Sequence, residues 1–407
     1  MKPNDDLLNK YYEYQKMNLS LDMTRGKPSK EQIDLSMPMM DVLNSHSTFV
    51  GLEGIDCRNY GCLDGLIECK QLLADMIEVD SNNIIIFGNS SLDIMYECIV
   101  DAFLYGVCGN TPWSRLNNKI KWLCPVPGYD RHFAICEHLG IEMINIPMDD
   151  NGPDMDMVEE LIKDESVKGI WCVPKYSNPT GTTYSKEVVD RFARLKPAAK
   201  DFRIYWDNAY SVHHLYDNDQ DYLPELLTEA KKYNNEDIVY KFTSTSKISF
   251  PGSGVAAIAA STNNLKDIYN NLKYKTIGYD KVNQLRHVRF FKDLNGIKEQ
   301  MRKHAEIIRP KFELVDSILT KEVKDIAYWT KPKGGYFISL FVPNKAKEVI
   351  NRCKECGLKL TEAGCAYPYH YDPDNSHIRL APTFMSLEEL KMAMDILCLC
   401  IKIECHY

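Results

Sequence analysis

No run of about 18 consecutive apolar residues occurs in this chain, so no membrane-spanning helix is expected. An apolar signal core is missing too: Met1-Lys2-Pro3-Asn4-Asp5-Asp6 opens on polar residues, and a cytoplasmic protein is expected. Basic charge is not in excess. Lys and Arg number 49 against 57 Asp and Glu, a formal net charge of −8 that argues against nucleic acid or an anionic membrane as partner. A small anionic substrate stays compatible with it, because a pocket can be locally positive on an acidic protein. No metal-ligand set is complete: Cys353-Lys354-Glu355-Cys356 has zinc or redox spacing, but no second Cys or His pair sits nearby. The 14 cysteines, without a secretion signal, read as reduced thiols. Cys398 and Cys400, inside the run Ile396–Ile401, read as small buried hydrophobes. Internal repeats, low complexity and long linkers are also lacking.

What is present is a chain of 407 residues, 44% hydrophobic and 26% charged, long enough for two domains. Residues 5 to 17 read as a helix rich in tyrosine and charge, broken at Thr24-Arg25-Gly26-Lys27-Pro28. An irregular stretch to about residue 60 precedes a helix over Leu63–Ile77. Seven short apolar runs then alternate with helical stretches: Ile84–Phe87, Ile120–Cys124, Glu142–Ile146, Gly169–Val173, Arg203–Asp207, Ile238–Thr243 and Val255–Ala260. Most lack alternation, as strands buried on both faces do, and this order argues for a mainly parallel seven-stranded sheet covered by helices. After about residue 300 the texture becomes that of a smaller α+β domain. A long charged helix from Lys292 to about Leu319, interrupted near Pro310, leads into strands at Ala327–Thr330, Tyr336–Phe341, Leu358–Thr361 and Ile378–Ala381. Helices over Lys345–Cys356 and Leu387–Ile401 separate them.

Four segments fall at expected strand ends, where open α/β sheets place ligands. Phe87-Gly88-Asn89-Ser90-Ser91 opens a helix, and its free N–H groups suit a phosphate, although Asn and Ser are also ordinary helix caps. Ser177-Asn178-Pro179-Thr180-Gly181 by itself reads as a turn. In Trp206-Asp207-Asn208-Ala209-Tyr210 the acid could simply cap the next helix. In Ser244-Thr245-Ser246-Lys247 the lysine, taken alone, would usually lie at the surface.

Together and in this order, the four segments resemble the aminotransferases of the type I pyridoxal-phosphate fold. The shared pattern is Asn-Pro-Thr-Gly, Asp-x-x-Tyr, Ser-x-Ser-Lys and a late strand arginine, here Arg379 in His377-Ile378-Arg379-Leu380-Ala381. Tyr60-Gly61, Pro127-Gly128-Tyr129 and Lys333-Gly334-Gly335-Tyr336-Phe337 are further matches, so the resemblance spans nearly the whole chain. Asp22–Pro28 and Ser246–Gly252 look like one bacterial aspartate aminotransferase subgroup.

The resemblance implies pyridoxal 5′-phosphate as cofactor, which does the electronic work while the protein binds and orients it. Lys247 is then the Schiff-base lysine, Asp207 the partner of the pyridine nitrogen, and Asn178 and Tyr210 donors to the phenolic oxygen. Tyr129 stacks on the ring, and Asn89, Ser90, Ser244 and Ser246 receive the phosphate. Gly26, Asn178 and Arg379 are the expected substrate contacts, Arg379 gripping the α-carboxylate. Tyr60 reaches the cofactor of a neighbouring subunit, which implies a homodimer with shared active sites. The implied domains are an N-terminal segment 1–48 packing with the small domain, a cofactor-binding domain 49–300 and a small domain 301–407.

One departure stands out. Family members carry an arginine several residues after the lysine, but here Ile-Ser-Phe-Pro-Gly-Ser-Gly-Val follows Lys247. Helix dipole and hydroxyls, or another cation with Lys241 the nearest, would have to replace it. The expected activity is transamination between an amino acid, aspartate or glutamate, and a 2-oxo acid. Another transaminase, such as alanine–glyoxylate, and a β-lyase are alternatives, because fold and cofactor do not fix the reaction. Arg25, Arg58 and Arg131 are candidates for a side-chain carboxylate, and each also reads as solvated charge. A cofactor-sensing regulator needs a DNA-binding domain, and the roughly 25 residues before Arg25 are too few for one.

Overall fold

The computed structural model describes residues 3–405; residues 1, 2, 406 and 407, which the expected terminal segments include, lie outside them. The strands are β1 (Leu21–Asp22), β2 (Ile84–Ile86), β3 (Lys121–Val126), β4 (Glu142–Asp149), β5 (Gly152–Pro153), β6 (Val167–Cys172) and β7 (Arg203–Asp207). Then follow β8 (Val239–Ser244), β9 (Ala256–Ala260), β10 (Tyr328–Trp329), β11 (Ile338–Phe341), β12 (Leu358–Lys359) and β13 (His377–Leu380). One sheet takes the order β2-β9-β8-β7-β6-β3-β4-β5. Its middle, β4-β3-β6-β7-β8, is parallel throughout, and β9 runs antiparallel to both β8 and β2. The seven expected strands are all present. The sheet gains an eighth, β5, whose two residues Gly-Pro pair antiparallel with the end of β4.

Both faces of this sheet are buried, which is why its strands lack alternation. Leu123, Ile170, Ile204, Trp206 and Val239 enter one core, while Trp122, Trp171, Tyr205 and Phe242 enter the other. At about 25 cal/mol per Å² of apolar surface, burial of these rings and branched chains is the main force holding the helices onto the sheet. Parallel strands bring their C-terminal ends to one edge, so the segments after β3, β6, β7 and β8 meet there.

A second sheet, β10-β11-β13, is antiparallel and packs with helices Ala346–Glu355 and Leu387–Cys405. The N-terminal helix Pro3–Lys16 lies on Leu387–Cys405, and β1 pairs in parallel with β12. Their shared core also takes Val173, Tyr176 and Tyr210 from the segments beyond β6 and β7, so it continues to the site. The expected break near Pro310 is a correction: one helix runs Leu294–Glu322 with Pro310 inside it. An internal proline costs about 3 kcal/mol. Ile308, Phe312, Val315 and Leu319, all buried on its core face, offset that cost. Among the described residues no helix is long and apolar enough to cross a membrane, and no group of three metal-binding side chains occurs. The cysteines are all free; Cys353 and Cys356 are buried in the core around the second sheet.

Candidate active site

A cavity of about 270 Å³ opens at the C-terminal edge of the large sheet. Ser90, Tyr129, Asn178, Asp207, Tyr210, Ser244, Ser246 and Lys247 line it from the segments around the large sheet, and Gly26 and Arg379 line it as well. These are all the expected site residues except Asn89 and Tyr60. Asp207 ends β7 and Ser244 ends β8, adjacent strands held in register by the Asp207–Phe242 pairing.

Lys247 follows β8 through a short turn, with Thr245 O accepting from Ile248 and Ser249 N–H. Gly254 packs against that turn: a Cβ there would sit 3.1 Å from Ser246 N, tighter than a methyl tolerates comfortably. The Lys247 Nζ lies 4.9 Å from the centre of the Tyr210 ring. Desolvation pulls its pKa below the ordinary lysine range, and the Asp207 charge partly opposes this. An amine so placed is a usable nucleophile and proton carrier.

Asp207 is 5% exposed, and its Oδ1 has no hydrogen-bond partner among the described residues. His132 Nε2 stands 3.2 Å from Oδ2, and the His132 ring stacks on Trp171 at 4.4 Å. A buried carboxylate oxygen left bare on a cavity wall is costly unless a donor arrives there. A protonated ring nitrogen is such a donor, and this is the observation that fits the expected cofactor. Burial, with Tyr129 and Asp207 nearby, pushes the Tyr210 phenol far up, so it stays a donor. Tyr129 is likewise pushed up to about 12 by burial and the charge of Asp207 and Asp130.

The expected phosphate end is built from hydroxyls. Ser90 caps helix Ser91–Tyr105, its side chain accepting from Asp93 N–H, and Ser244 Oγ donates to Ser246 Oγ. Asn89 does not face the cavity. Its amide donates to Gly252 O and its carbonyl accepts from Ser246 Oγ, so it ties the helix entrance to the lysine loop. Lys241 is also a correction. Side chains alternate along β8, and Lys241 points away from the face that carries Phe242 and Ser244. It is buried against Glu225 Oε1 at 2.8 Å and Ile77 O at 2.6 Å, and is absent from the cavity wall. The cations that do line it are Arg25, Lys27, Arg131, Lys247 and Arg379. Arg58 forms a two-point pair with Asp56 on the surface, away from the cavity.

Arg379, on β13, is nearly fully buried, lies over the Phe337 ring at 5.2 Å and donates through Nη1 to Asp130 Oδ1 at 2.8 Å. Gly26 is tight against the same ring: a Cβ there would meet Phe337 Cζ at 2.6 Å. Tyr60, 82% exposed, points out of its own site, on a loop whose Gly61 carbonyl accepts from Lys281 Nζ.

The profile of the family described as aspartate amino-transferase matches residues 4–406. This chain belongs to that family. An aspartate aminotransferase of Corynebacterium glutamicum is 43% identical, the match covering 99% of this chain and 94% of the relative. A crystal structure of an aspartate transaminase from the same organism superposes with a TM-score of 0.95 at 43% identity, covering 99% and 95% of the two chains. At 19% identity, the Thermus thermophilus α-aminoadipate aminotransferase, solved with N-(5′-phosphopyridoxyl)-L-leucine, still superposes with a TM-score of 0.76 over 97% and 94%, which shows the shared fold. The chain is a transaminase, and its cofactor is pyridoxal phosphate.

Two neighbours of the site lie outside the sequence motifs: His132 and Asp130. His132 had a signal. It lies three residues beyond Tyr129, one turn along the helix Asp130–His138, and so shares that residue's approach to the site.

Proposed function

We propose that this chain moves an amino group between aspartate or glutamate and a 2-oxo acid in two half-reactions that share one site. The bare Asp207 Oδ1 beside the desolvated Lys247 amine carries this reading, and the C. glutamicum relative supports the substrate class. Bound pyridoxal phosphate supplies the electron sink that lets the substrate Cα–H bond ionise. Lys247 Nζ takes the Cα proton and returns it on the other side of the transfer, a task that requires the depressed pKa its burial provides. Asp207 would keep the cofactor's ring nitrogen protonated, with His132 Nε2 3.2 Å from its Oδ2 and the His132 ring stacked on Trp171. Tyr210 and Asn178 would hold its phenolic oxygen, and Tyr129 would pack on its ring. Ser90, Ser244 and Ser246, with the first N–H groups of helix Ser91–Tyr105, would receive its phosphate. Asn89 braces that loop.

Arg379 binds the substrate α-carboxylate, and Arg25 and Arg131 stand on the cavity wall where a second carboxylate would reach. Neither has an ion-pair partner among the described residues, unlike Arg58. The exposed Tyr60, next to Gly61 whose carbonyl lies against Gly278, faces a second copy in a homodimer with shared sites. We place the protein in the cytoplasm, with amino and 2-oxo acids as its substrates and a second copy of itself as its partner.

Purified protein supplied with aspartate and 2-oxoglutarate will form oxaloacetate and glutamate. Lys247→Ala will abolish both turnover and the visible absorbance of bound cofactor. Release of pyruvate and ammonia from cysteine derivatives, with no keto acid required, would overturn the transamination reading.

A further inference from the structure

Arg379 is a guanidinium with unused capacity. Its side chain is 4% exposed, yet Nε has no hydrogen-bond partner among the described residues. Nη2 makes only long contacts of 3.3 Å, to Thr24 O and Thr361 Oγ1, and Nη1 reaches Asn178 Oδ1 at 3.5 Å. The one strong bond is Nη1 to Asp130 Oδ1 at 2.8 Å. A planar fork that can hold a carboxylate by two parallel bonds is thus held by one. Asp130 in turn has no other side-chain partner among the described residues, and at 28% exposed it is the solvent-side member of the pair.

Asp130 also stands on a boundary. It, Arg25 and Arg379 line the reaction cavity and, at the same time, a wider outer cavity of about 780 Å³. Lys347, Lys354 and Lys359 stand on the walls of that outer space, together with the carboxylates of Glu362 and Asp372. A carboxylate leaving Arg379 by side-chain rotation therefore turns toward walls on which cations outnumber acids. The alternative, a substrate carboxylate entering beside a retained Asp130, would set two like charges on one arginine.

We infer that Asp130 is a placeholder: its carboxylate occupies Arg379 when the site is empty, and the substrate α-carboxylate displaces it toward the lysine-lined outer cavity. Asp130 is on this account a positioning residue that sets affinity. It keeps a buried arginine charge-compensated between turnovers, and every substrate must compete with it. The inference rests on Arg379 being the substrate-carboxylate clamp. Apparent affinity is the intrinsic affinity multiplied by the fraction of sites in which the clamp is open, so removing the competitor raises it.

The test titrates holoenzyme calorimetrically with succinate, a plain dicarboxylate with no amino or keto group, alongside steady-state kinetics. Asp130→Asn and Asp130→Ala should both bind succinate more tightly, the alanine variant by about tenfold, since asparagine can still offer Arg379 one oxygen. KM for amino acid and 2-oxo acid should fall with it, while kcat stays within about twofold. Damage to the site loosens binding, so a gain is not a result that disruption produces. The placeholder is refuted if neither variant tightens succinate, or if KM rises. Arg379→Lys tests the clamp apart from its placeholder: it should weaken succinate by roughly a hundredfold with Asp130 present or removed. Unchanged succinate affinity in Arg379→Lys would mean that the clamp itself is misassigned.

Discussion

Lys241→Met distinguishes a structural lysine from one that neutralises a phosphate. Lys241 Nζ is buried between Ile77 O and Glu225 Oε1, the two side chains being 3% and 9% exposed. Burial alone would raise the Glu225 carboxyl, but Lys241 and the Thr228 backbone N–H outweigh it and hold the pKa below the usual range. Methionine keeps the length of the stem and removes the charge, leaving a buried carboxylate without its cation. Breaking such a pair costs about 3–5 kcal/mol. Glu225 keeps the Leu227 and Thr228 N–H groups as cap of helix Leu226–Lys231, so the lower end, about 3 kcal/mol, is expected.

Urea denaturation of the apo and holo forms measures this loss, and cofactor affinity of the folded variant should be unchanged. Glu225→Gln added to Lys241→Met should recover about 0.5–3 kcal/mol, the coupling between the two sites, because the uncompensated charge is gone. The pH dependence has a definite sign. A carboxyl depressed in the folded state contributes stability that is present above its unfolded pKa, about 4.3, and is lost as pH falls through the folded value. Without Lys241 the carboxyl rises, so the variant should lose its acid resistance at higher pH than the wild type. A stability loss under about 1 kcal/mol together with weakened cofactor binding would refute the reasoning and return Lys241 to the phosphate.

Asp207→Asn should still bind cofactor but transaminate about 10²–10³-fold more slowly, the usual scale for one preorganised electrostatic contact, as read from keto-acid formation. Full activity there would mean that another acid holds the ring nitrogen. Gly26→Ala drives a methyl into Phe337, the ring beneath Arg379, so KM should rise on the order of tenfold to a hundredfold while the folded structure persists by circular dichroism. Unchanged KM would show that Phe337 can yield without moving the arginine.

How far the sequence can be read depends on whether a feature is local. The strands of the large sheet are legible because burial on both faces writes itself as an uninterrupted apolar run, and the run Arg203–Asp207 coincides with its strand to the residue. The two-residue β5 has no period to read, and the helix across Pro310 is decided by packing that outweighs propensity. Strand parity alone excludes Lys241 from the phosphate: three residues from Ser244 on one strand, it must face the other way.

The site divides along the same line. Asp207, Tyr210 and Lys247 are legible because each belongs to a short segment whose residues act together at a strand end. The Asp130–Arg379 pair joins positions 249 residues apart, one opening a helix beside the large sheet and the other on the second, three-stranded sheet. No spacing rule relates them; only the tertiary packing does. Contacts of that kind are the ones a substrate can open, because neither partner is fixed by its own local structure. The part of this site that the sequence left unread is therefore the part that responds to what binds.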